Sequence, residues 1–228
     1  MSRVQISFAY RVVMFVAAPF VRLWGRLEVS GADTLPLSGP TLIIANHDSY
    51  WDPVIIGTAG LKRRQICALA KASLWDNKLV GAVLNGMGQI PIQRGRGDTQ
   101  ALDAAIRELR NGTCIGVFPE GTTSRGRVTR ARSGAGWLAL AVPETKVVCA
   151  RVTGAVDIVR FPKRPRIRVE FFEPSSGQPK SGESAIAMMK RMIAETRIGA
   201  PYEVPGRRKR AQGHRKAIAA AAAEKSAG

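Results

Sequence analysis

The sequence predicts an α/β fold, a mixed sheet flanked by helices in a single domain. Short apolar runs of strand length alternate with longer segments of helical period along the middle of the chain. No internal repeat interrupts that alternation. The 228 residues, 45% of them apolar, are enough for one filled core with appendages at both ends.

The first appendage is "ISFAYRVVMFVAAPFVRLW", Ile6 to Trp24. As a helix its 19 residues would span about 28 Å, close to a hydrocarbon core. Arg11 sits inside it, however, and on a helical wheel Arg22 and Arg26 fall roughly 20° and 60° away, with Arg3 and Ser7 on the other flank. Phe8, Val12, Phe15, Val16 and Leu23 lie elsewhere on the wheel. A charged stripe beside an apolar one fits a helix lying in a membrane interface better than one crossing it. The same pattern also suits a helix packed on the core. No small-residue cleavage site follows, so a signal peptide fits less well.

Gly31 to Pro40 is turn-rich. Thr41–Asn46 ("TLIIAN") reads as a buried strand, and Asp52 onward as a helix with Pro53 in its first turn. Gln65–Lys71 is a second strand and Trp75–Gly86 a helix. Gly88–Arg94 ("GQIPIQR") is a third strand, whose Pro91 implies an edge or a bulge. Asp98 caps a helix through Leu109, ended by Asn111-Gly112. Thr113–Phe118 is a fourth strand, Gly134–Val142 a helix, Lys146–Val152 a fifth strand and Arg166–Glu173 a sixth. Ser184–Thr196 is an amphipathic helix. From Pro205 the chain is basic and then alanine-rich, which suits disorder or nascent helix. The expected division is 1–30 as the membrane-associating segment, 31–204 as the domain and 205–228 as a basic tail.

The formal net charge is +18. From Gly206 onward seven basic residues face one acidic residue, so the tail carries +6 and the rest +12. Such a surface seeks polyanions: nucleic acid, anionic lipid or phosphorylated substrates. For nucleic acid, "GRRKRAQGHRK" suits phosphate backbones, yet there is no zinc pattern, aromatic stacking strand or recognition helix. Cys67, Cys114 and Cys149 each sit in an apolar run without metal-ligand spacing, as reduced core thiols would in a cytosolic compartment.

Three short blocks carry the chemistry. In "NHDSYWD", His47 can accept a proton near neutral pH and Asp52 can hold its tautomer, provided the chain turns between them. Read alone, His47 equally suits a strand-end cap. In "FPEGTTS", Gly121 allows close backbone approach, and Thr122, Thr123 and Ser124 offer amides and hydroxyls to an anion, while Glu120 suits orienting a neighbouring group or a substrate hydroxyl. The same block also reads as a polar turn. Arg94, ending "GQIPIQR", can clamp a phosphate or sit solvated. Arg96, Arg125, Arg127, Arg130 and Arg132 add positive potential nearby. Each block ends an expected strand, where open α/β sheets place their sites.

In this order, from about Thr41 to about Phe172, the blocks resemble those of the glycerolipid acyltransferases, whose best-known members are the 1-acylglycerol-3-phosphate acyltransferases. The resemblance implies acyl transfer from acyl-CoA or acyl-carrier protein to a hydroxyl of a lysophospholipid, most readily 1-acyl-sn-glycerol-3-phosphate. It implies His47 as general base, Asp52 as its partner, and Arg94 with Gly121, Thr122, Thr123 and Ser124 around the acceptor's phosphate. Glu120 would hold that loop or the acceptor. No metal, cofactor or nucleic acid is called for. The expected place is the cytoplasmic face of the cell membrane, peripheral or monotopic, on an anionic surface. Two positions depart from the pattern. Thr123 stands where lysophosphatidate-using members often have arginine, which leaves room for another lysolipid or lyso-aminolipid as acceptor. Cys149 stands where a proline is usual.

Overall fold

The structure is a computed structural model that describes residues 6–93, 98–124, 130–159, 162 and 164–198. Arg3, Arg94, Arg96, Arg125, Arg127 and the basic tail 205–228 lie outside the described residues.

Seven strands form one sheet: β1 Glu28–Ser30, β2 Thr41–Ala45, β3 Cys67–Lys71, β4 Ile90–Ile92, β5 Cys114–Val117, β6 Lys146–Thr153 and β7 Arg168–Phe172. Their order is β1-β7-β6-β2-β5-β3-β4. All neighbours run parallel except β6 and β7, so the sheet is mixed, as expected. The sequence reading misses β1. Its three residues are all exposed, so no apolar pattern marks them, and it exists because it pairs with β7. Pro91 sits on the edge strand β4, where a missing amide costs no ladder bond.

The described residues form six α-helices: α1 Phe8–Pro19, α2 Asp52–Gly60, α3 Lys78–Gly86, α4 Thr99–Arg110, α5 Gly134–Ala141 and α6 Ala185–Arg197. The segment expected as one helix from Trp75 divides. A 3-10 stretch, Ala72–Asp76, precedes α3, because the Asn77 side chain accepts from the Leu79 and Val80 amides and starts a new helix there. Asp98 and Ser184 cap α4 and α6 in the same way. After Pro19, which has no amide to give, α1 continues as a π-helical segment, Phe20–Trp24.

β2 is wholly buried because both its faces are covered. Ile43 and Ala45 pack with Ile55, Ile56 and Ala59 of α2. Leu42 and Ile44 pack with Leu109, Leu138 and the α6 methionines on the other face. The three cysteines are buried and free, and burial pushes the Cys114 and Cys149 thiols up to about 12, so neither is a nucleophile at neutral pH. Tyr10 and Met14 of α1 are buried against Met87, beside α3. The opposite side of α1 is not covered: Phe8 is 77% and Phe15 82% exposed. No helix among the described residues is long and apolar enough to cross a membrane.

Candidate active site

Strand register brings the first and third blocks together. Ile44 is paired with Val117 in the parallel β2–β5 ladder. Three residues further along each strand are His47 and Glu120, and Glu120 Oε1 accepts the His47 backbone N–H at 3.1 Å. A second bond runs the other way between the loops, from the Ser124 N–H to the His47 carbonyl at 2.6 Å. Asn46 anchors the end of β2 by exchanging two 2.8 Å bonds with the Val152 backbone, so its side-chain amide acts as one more rung of the ladder to β6.

The chain then turns back on itself. Asp52, the first residue of α2, accepts through one oxygen, Oδ2, from the amides of Asp48 at 2.7 Å and Ser49 at 2.8 Å. That oxygen also lies 3.1 Å from His47 Nδ1. The spacing of five, which a straight helix would hold apart, is closed by this turn. Asp52 is fully buried. Burial pushes its carboxyl up, against the pull of His47 and the Ser49 amide. The His47 ring stacks on Phe118, with centroids 4.2 Å apart. An imidazole held by a carboxylate on Nδ1 and an aromatic on its face has its orientation fixed, and its other nitrogen is left for proton transfer.

His47 borders a cavity of about 700 Å³. Leu69, Ile92, Leu102, Val117 and Trp137 give it an apolar wall, while Gln93, Glu120, Gly121, Arg130 and Arg132 make it polar. Of the third block, Glu120 and Gly121 line this space, whereas Thr122, Thr123 and Ser124 are not among the described residues that do. The Ser124 amide and hydroxyl are both engaged inside the protein, the hydroxyl with Asp48. Gly121 has φ +67°, and a Cβ there would stand 2.5 Å from Arg132 Nε. Only glycine lets the Arg132 side chain cross this loop into the cavity. Arg94 lies outside the described residues, so the second block is represented by Ile92 and Gln93 at the cavity edge.

One residue of this cluster escapes sequence reasoning. Arg197, at the end of α6, donates to Asp48, Glu120 and Ser124. A basic residue in the last helical turn is its only sequence signal, and that is common. Among the described residues no group of His, Cys, Asp and Glu is arranged to hold a metal ion.

The acyltransferase family model matches residues 26–162, which spans both loops and the cavity wall. The chain belongs to the acyltransferase family. This acyltransferase is 26% identical over 156 residues to the 1-acyl-sn-glycerol-3-phosphate acyltransferase of Bacillus subtilis (strain 168), covering 68% of this chain and 67% of that one. It is 32% identical over 96 residues to the lyso-ornithine lipid O-acyltransferase of Pseudomonas aeruginosa, covering 42% of this chain and 36% of that one. The acyltransferase therefore spans about a third to two thirds of the lengths of these curated relatives. Its fold is shared with the crystal structure of the 1-acyl-sn-glycerophosphate (LPA) acyltransferase, PlsC, from Thermotoga maritima. The TM-score is 0.64 at 19% identity, over 84% of this chain and 80% of that one. The family places the acyltransferase in phospholipid biosynthesis.

Proposed function

We propose that this acyltransferase moves a fatty acyl group from an acyl thioester, acyl-CoA or acyl-carrier protein, to the hydroxyl of a lysophospholipid, giving phosphatidate from 1-acyl-sn-glycerol-3-phosphate. The observation that carries the reading is the buried His47–Asp52 pair at the rim of a cavity with an apolar wall and an arginine-lined mouth. In this mechanism His47 accepts the proton of the acceptor hydroxyl while Asp52 holds the ring and stabilises its charge. The hydroxyl oxygen bonds to the thioester carbonyl carbon, the C–S bond breaks, and the proton passes from His47 to the leaving thiolate. No protein nucleophile takes part, which agrees with the buried, raised cysteines.

Arg130 and Arg132, together with Arg94, serve the acceptor's phosphate, and the Gly121 turn lets Arg132 reach it. Glu120 holds the histidine loop through its bond to the His47 amide. Thr123 favours a second reading within the same chemistry, a lyso-aminolipid acceptor. The similarity to a lyso-ornithine lipid acyltransferase supports it.

The reaction is proposed to take place on an anionic membrane surface at the cytoplasmic face. Phe8, Phe15, Val16 and Leu23 of the N-terminal segment and Leu79 of α3 point away from the core, and Arg11, Arg22 and Arg26 are exposed beside them. The Phe20 ring of this segment meets the Trp51 ring of the histidine loop at a tilt of 43°, with centroids 5.3 Å apart. Lipid held on this face would meet the site without crossing water.

The test gives purified protein labelled acyl-CoA or acyl-carrier protein and a panel of lysolipids. The wild type is expected to acylate one of them, and His47→Ala to be slower by about 100- to 10,000-fold. Equal activity in the two proteins, or none with any donor and acceptor, removes the reading. Salt-dependent binding to DNA but not to anionic vesicles would point to nucleic acid instead.

A further inference from the structure

Arg197 stands 35 positions beyond the family match, which ends at residue 162, yet its side chain is only 10% exposed because it is enclosed by the histidine and Glu120 loops. Nη1 donates to both oxygens of Asp48, at 2.8 and 3.1 Å. Nη2 donates to Glu120 Oε1 at 2.7 Å and to the Ser124 hydroxyl. Asp48 follows His47 directly and also receives the Asn46 amide at 3.0 Å. Glu120 Oε1 is the same oxygen that receives the His47 backbone N–H. One planar fork thus joins the two loops that carry the imidazole.

We infer that Arg197 is a positioning residue of the acyl-transfer site: by bridging Asp48 and Glu120 it fixes the backbone that carries His47. The inference rests on the reading of His47 as the general base. Arg197 does not act as an anion ligand for substrate, because both its Nη1 and Nη2 donate to protein acceptors and it is not among the residues lining the cavity.

Its charge matters as well as its shape. His47 is faced by Asp48 on its own loop, Asp52 on α2 and Glu120 after β5. Among the described residues the cations near it are Arg197 from α6 and, around the cavity, Arg130 and Arg132. Removing Arg197 takes away a positive charge that Asp48 and Glu120 share. Their field then favours imidazolium, so a base that must be neutral becomes neutral only at higher pH.

Arg197→Met is therefore expected to lower kcat by about 10- to 100-fold with KM changed by less than about threefold, since misplacing a reacting group slows the step without removing a substrate contact. The acid limb of kcat/KM should move to higher pH. The same movement should appear in the His47 imidazole titration followed by NMR. That measurement is made simple by the chain's two histidines, the other being His214, replaced in a His214→Gln background. Arg197→Lys keeps the charge without the fork, so the pH limb should return towards wild type while kcat recovers only in part. Asp48→Asn combined with Arg197→Met removes one of the two carboxylate charges as well and should bring the titration back.

Wild-type kcat and His47 titration in Arg197→Met overturn the inference, as does a KM raised more than tenfold at wild-type kcat. Should circular dichroism show Arg197→Met unfolded, full kcat in folded Arg197→Lys overturns it. Equal rates for wild type and His47→Ala would instead remove the general-base reading, while the NMR titration still reports on the clamp.

Discussion

A single carboxylate oxygen, Asp52 Oδ2, binds two backbone amides and faces His47 Nδ1. The loop and the ring are therefore set by the same atom. This is why NHDSYWD could be read from sequence: the partner had to be a carboxylate at the start of the next helix, and the turn made it near. Arg197 could not be read so, because nothing about one arginine among 35 basic residues announces its partners. Glu195, two residues earlier in α6, is similarly silent. Burial works to raise its carboxyl, but bonds from the amides and hydroxyls of Ser175 and Ser176 outweigh this and hold it below the ordinary value of 4.5. A group held down in the folded state adds stability above its unfolded pKa and loses it as pH falls through the folded one. Glu195→Gln should thus be less stable than wild type by about 1–3 kcal/mol at pH 7. Urea titrations across the pH range should show that gap closing as pH falls through the lowered value of the Glu195 carboxyl.

At the scale of elements, the strands with buried, β-branched runs were legible, and so were the helices that Asp98 and Ser184 cap. β1 was not, since three exposed residues have no pattern and owe their form to β7. The linkage of elements at the other end of the sheet was also hidden. Arg64, 1% exposed, donates to the carbonyls of Pro36, Gly39 and Gly112 and to the Thr41 hydroxyl. Burial lowers its pKa, and among the described residues no carboxylate forms an ion pair with it. It ties the entries of β2 and β5 to the turn before them through three carbonyl oxygens and one hydroxyl. Arg64→Leu leaves those acceptors without their donor and should cost about 2–4 kcal/mol, read as a lower denaturation midpoint with unchanged slope.

For the whole molecule, the acyltransferase fold was legible because three blocks had to fall at the same edge of a parallel ladder. The direction of the apolar face was not, because a wheel cannot tell which of two apolar sides meets the core. Tyr10 and Met14 take the core, leaving Phe15 and Leu23 outside. If that face meets lipid, Phe15→Ser with Leu23→Ser should weaken partitioning onto anionic vesicles by about 100-fold, at about 1.5 kcal/mol or more for each side chain. The melting temperature should hold, since neither side chain is buried. Unchanged vesicle binding would place the membrane contact elsewhere.

The clamp at Arg197 also orders events in time. A chain leaves the ribosome from its N-terminus, and 149 positions separate Arg197 from Asp48. The histidine loop, the Glu120 loop and all seven strands are synthesised first. Until the last turn of α6 docks, the Asp48 and Glu120 carboxylates lack the guanidinium that joins them. The nascent protein can thus lay down its sheet long before its histidine is held, and the site is completed only when Arg197, almost the last of the described residues, has been made.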